Sequence, residues 1–199
     1  MMILSNLRQH RFCGALLALG LSLLSFHVAA SDYAGQQSRD IKSLSESDVD
    51  DLLNGRGWGL AKPAELNGLP GPIHLLELTS PLGLSALQES SIRKIYEQMN
   101  LEARALGAQY VEQERALEQL IIDSDASDDA IFDALESSAN ILAKLRLTHL
   151  RAHRHTPEIL TMEQLEKYRK LRGYDDVSNP CDHVPEGHDP DMWKRHNQC

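Results

Sequence analysis

Two long stretches of the chain carry apolar residues at helical spacing, and they constrain the fold more than any other feature. Apolar side chains recur at three- and four-residue steps over 92–121 and again over 131–152. This period predicts two amphipathic helices, the first of roughly 35–40 residues and about 55 Å long. The polar run 123–128 between them is a short turn. A short turn between long helices favours an antiparallel hairpin.

Two capping boxes mark where helices begin. Ser85 is followed three residues later by Gln88, and Thr161 by Gln164. In such a box each side chain satisfies a backbone amide at the helix start. The first box precedes the long stripe, and the second predicts a final helix over 161–172 that ends at Gly173.

Shorter elements are expected before the long helices. Ser45 or Ser47 is an N-cap candidate for a short helix that ends near Leu53. Pro72 suits the first position of another, over 72–79. The glycines and prolines of 55–72 predict turns.

The first thirty residues have the features of an export signal. A basic start with Arg8 and Arg11 precedes an apolar run over 12–26, and Val28-Ala29-Ala30 places small residues where a signal peptidase cleaves. The apolar run is too short to span a bilayer comfortably. The sequence therefore predicts a signal peptide over 1–30 and a periplasmic protein that begins near Ser31, with no membrane anchor in its mature form.

Charge and composition limit the class of protein. The chain has a net charge of −9, and loss of the two signal-peptide arginines makes it more acidic. Nucleic-acid binding needs a basic face, so it is not expected. We expect a polar, flexible leader with one short helix over 31–54, a helical domain over 55–174 and a Cys/His-containing tail over 175–199.

Only two cysteines follow the predicted cleavage site, Cys181 and Cys199. In an oxidising compartment they predict one disulfide. Closing this loop would stabilise the tail by ~3 kcal/mol on the chain-entropy estimate. The tail also holds His183, His188 and His196, which are candidates for a weak surface metal buffer.

The motifs Leu84-Ser85-Ala86-Leu87-Gln88 and Leu160-Thr161-Met162-Glu163-Gln164 resemble the repeated L-T-x-x-Q motifs of the Spy/CpxP-like periplasmic superfamily. That superfamily includes heavy-metal-resistance proteins of the ZraP and CnrX type, to which the segments 64–74 and 171–174 are similar. The resemblance covers about residues 55–174. It implies an all-α, four-helix hairpin fold that forms a homodimer. It also implies a periplasmic role in chaperoning without ATP, or in buffering or sensing a transition metal.

Three histidines are the candidate metal ligands. His149 and His153 lie one turn apart on the third helix, so one ion of zinc, copper, nickel or cobalt can bind both rings. The resemblance implies that His74, on a short first helix, joins them. Pro70 stands where the sensor branch has a further histidine, and Glu77, Met99 and Glu102 are possible replacements. The competing interpretation is that His149 packs at the core edge and His153 is merely exposed.

The basic residues of the third helix form a second candidate site. From 144 to 172 the chain holds eight basic and three acidic residues, whereas 85–136 holds twelve acidic and four basic. The members of the predicted client-binding patch are Lys144, Arg146, Arg151 and Arg154. Two solvated faces that partly complement each other explain the same asymmetry.

No sequence pattern indicates an enzyme. The chain has no nucleophile elbow, phosphate-binding loop or H-E-x-x-H motif. We therefore expect a non-enzymatic envelope-stress or heavy-metal-resistance protein that binds a divalent transition metal. The alternatives are an ATP-independent holdase that binds unfolded periplasmic proteins and a purely structural envelope protein. An envelope signalling partner is also possible for a sensor.

Overall fold

The computed structural model describes residues 33–174 and, in the tail, residues 181, 184, 190, 193, 194 and 199. The predicted signal peptide and the three tail histidines lie outside these residues. The chain divides after Ala34, and every element below belongs to the unit Gly35–Cys199. The described residues are helical and contain no β-strand. The helices are α1 (Glu46–Leu53), α2 (Lys62–Leu66), α3 (Pro72–Glu77), α4 (Thr79–Leu82), α5 (Ala86–Ile122), α6 (Asp128–His155) and α7 (Met162–Leu171), with a 3₁₀ turn at Pro157–Ile159.

The two long helices pack against each other, as the sequence predicts. α5 has 37 residues and α6 has 28. Polar bridges join them along their length. Ser137 donates to Gln113 at 3.1 Å, and Thr148 donates to Glu102 at 2.9 Å. One apolar cluster joins α5, α6 and α1, and a second packs α5 against α3, α4 and α7. Each long helix therefore buries its apolar stripe.

Both predicted capping boxes are present, and their glutamines meet. The Ser85 hydroxyl accepts from the Gln88 backbone, and the Thr161 hydroxyl from that of Gln164, each at 3.2 Å. The side-chain amide of Gln88 donates to the Gln164 carbonyl oxygen at 2.8 Å. This contact ties the first turn of α5 to the first turn of α7.

The short helices differ in detail from the expectation. Ser45 caps α1, so that prediction is confirmed. The helix expected over 72–79 is instead two, because the chain turns at Leu78 between α3 and α4. Pro81 lies inside α4, which is tolerable because it falls in the first turn, where its missing amide has no intrahelical partner. The turn-rich segment also contains α2, which the sequence did not predict.

The leader contributes to the core. Ile41 and Leu44 are 2% and 4% exposed and pack with Leu52, Tyr110 and Leu145. Lys42 and Ser43 add polar contacts to Glu118 and Glu114 of α5. This part of 31–45 is therefore packed on the long helices and is not the flexible segment that its polar composition suggests.

The cysteines of the tail form the predicted pair. The sulfur atoms of Cys181 and Cys199 lie 2.07 Å apart, with the Cα atoms 5.5 Å apart. Within the described part of the chain, no helix combines the length and the apolar character that a membrane span requires.

Gly107 lets α1 approach α5 closely. A Cβ atom there would lie 2.1 Å from the Leu52 carbonyl oxygen and 2.7 Å from its carbonyl carbon. Both neighbours are backbone atoms near the end of α1, so they cannot rotate away. The helix pair therefore depends on the absence of a side chain at this position.

We predict that Gly107→Ala lowers the free energy of unfolding by about 1–3 kcal/mol, the usual cost of overpacking. Ala favours a helix interior by ~1 kcal/mol over Gly, so an unobstructed site would show the opposite sign. The midpoint of urea unfolding measures the change. Gly57→Ala, in a loop where no atom lies within 4 Å of a built Cβ, is a control for the loss of a glycine without crowding. A stabilised Gly107→Ala protein would contradict this docking of α1.

Candidate functional site

The three histidines predicted as metal ligands line one cavity of about 220 Å³. His149 and His153 reach it from α6 and His74 from α3, while α5 contributes Tyr96, Met99 and Asn100. We call this space the histidine cavity. Its walls come from segments far apart in sequence, which the packing of α3 on α5 brings together.

His149 is buried beside the cavity without a hydrogen-bond partner for Nε2. The residue is 2% exposed, and its Nε2 atom contacts neither solvent nor a polar group of the described residues. Burial, and secondarily the nearby His153 ring, lower the pKa of His149 to about 4. The imidazole is therefore neutral at neutral pH, which is the form that binds a metal ion.

His153 is oriented by the loop that precedes α3. Its Nδ1 atom donates to the Leu69 carbonyl oxygen at 2.8 Å. A carbonyl oxygen only accepts, so Nδ1 carries the hydrogen and Nε2 of the neutral ring has the free lone pair. Fixing one ring nitrogen in this way is how proteins prepare the other for a metal.

His74 lies at the rim of the cavity. Its Nδ1 atom is 3.1 Å from a Glu77 carboxylate oxygen, and its side chain is one-third exposed. The backbone of Gly71 lies close to the rings of both His74 and His153. A Cβ built on Gly71 would lie 3.4 Å from His74 Cδ2 and 3.0 Å from His153 Nε2. The bare backbone of Gly71 thus allows both rings to approach from the same side.

A buried carboxylate supports the site from behind. Glu65 on α2 accepts hydrogen bonds from the Tyr168 and Tyr174 hydroxyls and from the Gly71 amide, the last at 2.9 Å. Its Oε2 atom is 3.6 Å from His153 Nδ1. Burial alone would raise the pKa of the Glu65 carboxyl, but these hydrogen bonds outweigh it and hold the pKa below its usual value.

Sequence reasoning missed this cluster of Glu65, Tyr168, Arg172 and Tyr174. The Arg172 guanidinium lies 3.5 Å from Glu65 and over the Tyr174 ring. The available signal was Glu65 itself, which is the only Asp, Glu, Lys or Arg between Lys62 and Glu77.

The helix geometry places one of the four predicted client-binding residues, Arg146, on a different side of α6 from the other three. All four are exposed on α6. Lys144 and Arg151 are seven residues apart and share a stripe, whereas Arg146 lies roughly 140° away from Arg151 around the helix. Arg151 borders a groove of about 330 Å³ between α5 and α6, together with Lys94 and His155. Arg146 and Arg154 do not line this groove.

The possible replacement ligands have different positions. Glu77 pairs with His74, and Glu102 accepts from Thr148 and borders the α5–α6 groove. Met99 is the one of the three that lines the histidine cavity. Among the described residues, no three or more His, Cys, Asp or Glu side chains are arranged to hold a metal ion together.

The comparisons with known proteins find no counterpart: no protein-family model, no curated protein and no solved structure matches this chain.

We predict that His149 makes the fold sensitive to mild acid. Its pKa is about 4 in the folded state and about 6.5 when unfolded, so between these values only the unfolded chain binds the proton. The free energy of unfolding is therefore unaffected by this group above pH 6.5. As pH falls towards 4 it decreases, by at most ~3 kcal/mol, because proton binding to His149 favours the unfolded chain.

Urea unfolding between pH 4.5 and 7.5, in buffer with a chelator, measures this dependence. His149→Gln should flatten the curve between pH 4.5 and 6.5, whereas His155→Gln, at an exposed position on the same helix, should not. Identical slopes for the wild type and His149→Gln would show that the ring is not buried as described.

Proposed function

We propose that this protein binds a transition-metal ion in the histidine cavity, as a periplasmic protein that buffers or reports the metal under envelope stress. His149 and His153 are the primary ligands, and His74 joins them from α3. The two long helices then form the hairpin of a four-helix fold of the Spy/CpxP-like and heavy-metal-resistance kind, and the protein acts as a homodimer without catalysing a reaction.

The unpartnered Nε2 atom of His149 is the observation that carries this proposal. An unsatisfied buried polar atom costs about 1–3 kcal/mol, so its retention beside a cavity calls for a reason. A metal ion supplies the missing partner. The neutral His149 ring needs no deprotonation before it binds.

The position of His153 supports the same role. The Leu69 carbonyl holds its Nδ1 hydrogen and leaves Nε2 available. His74 is less fully prepared, since it contacts Glu77 at the rim. A rotation of the partly exposed His74 side chain, and not of the buried His149, would therefore complete the ligand set. Imidazole ligands suit zinc, copper, nickel and cobalt.

We predict that His149→Ala and His153→Ala each weaken metal binding by about tenfold or more, because each removes a coordinate bond. His74→Ala should weaken it by a comparable factor. Competition against a chromophoric chelator, with Zn²⁺, Cu²⁺, Ni²⁺ and Co²⁺ in turn, measures the affinities. His155→Ala is the matched control, since that histidine lies on α6 outside the cavity.

Any metal binding by the tail histidines is the same in all variants. The decisive comparison is therefore between the metal affinity of the wild type and that of the His149→Ala/His153→Ala protein. If the double variant binds all four metals as tightly as the wild type, the proposal is wrong. Circular dichroism on each variant separates a lost ligand from a lost fold.

The α5–α6 groove favours a second candidate function, an ATP-independent holdase. Its floor is apolar, with Ile95, Met99 and Ala152, and Lys94, Arg151 and His155 surround it. Neither Lys94 nor Arg151 forms an ion pair in the described part of the chain, and Glu102 is the one acidic residue in the groove lining. An unfolded segment that combines apolar and acidic residues matches both features.

A holdase should suppress the aggregation of an unrelated unfolding protein at near-stoichiometric amounts. If the groove binds clients, Lys94→Glu/Arg151→Glu should weaken that protection severalfold, because it places like charges opposite acidic segments. Arg146→Glu/Arg154→Glu changes the net charge equally outside the groove and should have little effect. Light scattering of the client reports the result. A wild-type protein that gives no protection even in severalfold excess excludes the holdase.

A further inference from the structure

A thioether reaches the same cavity as the histidines. Met99 is 8% exposed and lines the histidine cavity from α5, whereas His149 and His153 line it from α6. Its side chain also borders the α5–α6 groove, so it spans the space between the two long helices. A methionine sulfur is a soft, polarisable donor, whereas the imidazole nitrogens are borderline.

The lining of the cavity is poor in negative charge. None of its described lining residues is a carboxylate, and the one charged member is Arg56, whose guanidinium pairs with Asp50 and Asp51. Glu65 lies behind His153, but Arg172 already stands 3.5 Å from that carboxylate. The residues around the cavity therefore provide little negative charge to compensate the positive charge of a bound ion.

Charge compensation decides between a divalent and a monovalent ion. The cost of moving an ion out of water rises with the square of its charge, so a divalent ion pays about four times the cost of a monovalent ion of the same size. Hard divalent ions also require oxygen ligands. Neutral nitrogen and sulfur donors favour a soft ion of low charge and low coordination number.

We propose that the histidine cavity selects the monovalent soft ion Cu(I), with the Met99 sulfur completing a ligand set with Nε2 of His149 and Nε2 of His153. This assignment rests on the proposed metal-binding function and adds the class of metal to it. These three neutral donors would hold Cu(I) without a carboxylate. For Cu(I), in contrast to the divalent ions of the preceding section, His74 remains at the rim beside Glu77 and is not needed for binding.

The test is Cu(I) affinity of the full protein, measured anaerobically with ascorbate by competition against bicinchoninate, with Zn²⁺ affinity measured in parallel. Met99→Leu should weaken Cu(I) binding by about tenfold or more and change Zn²⁺ binding by less than about threefold. Leu preserves the volume and apolar character of Met, so the fold should persist. Met162→Leu, on α7 and 73% exposed, is the matched control and should change neither affinity.

X-ray absorption at the copper edge gives a readout that packing alone does not alter. The wild-type Cu(I) protein should show copper–sulfur scattering, and the Met99→Leu protein should show only nitrogen scattering. Unchanged Cu(I) affinity in Met99→Leu, or an absence of sulfur scattering in the wild type, overturns the assignment of Cu(I) and Met99. A loss of Zn²⁺ binding in His149→Ala/His153→Ala would still uphold the metal-binding function in that case. If the double variant binds every metal like the wild type, both proposals fail.

Discussion

One buried carboxylate organises the end of the molecule where the histidine cavity lies. Glu65 belongs to α2, yet its acceptors hold the Gly71 amide ahead of α3 and the Tyr168 hydroxyl of α7. A buried charge is costly unless hydrogen bonds and an opposite charge surround it. Here two hydroxyls, a backbone amide and Arg172 do so. Because these partners come from separate segments, the carboxylate fixes the loop at Gly71, and that loop in turn orients His153.

The parts of the fold that follow from local chemistry were predictable from the sequence. The 3.6-residue period and the capping boxes at Ser85 and Thr161 give the starts of α5 and α7 to within one residue, since both signals act within a single turn. The burial of Ile41 and Leu44 was not predictable, because it depends on a surface formed by distant residues. The same holds for Gly107, whose requirement comes from the Leu52 backbone and not from its own helix.

The candidate site, too, was predictable from the sequence only in part. The spacing of His149 and His153 fixes their common face from sequence alone, and both rings do line one cavity. No local pattern tells which ring is buried without a partner, because that depends on how closely α3 and α5 cover α6. For the basic residues, the sequence pattern is misleading. Their clustering in sequence suggests one patch, but 3.6 residues per turn distributes Arg146 and Arg151 to different sides of α6.

A buried, unpartnered imidazole also links the site to the stability of the fold. Without a ligand, the Nε2 atom of His149 lowers the stability of the folded chain, because the unfolded chain hydrates it. An ion that binds the folded state alone raises stability by RT ln(1 + [L]/Kd), which is about 2.7 kcal/mol at a hundredfold excess over Kd. The unsatisfied atom and the proposed ion therefore act on the same folding equilibrium with opposite sign. On the proposed function, metal binding would therefore stabilise the folded state in which α3 packs beside α6, and a chelator would lower that stability.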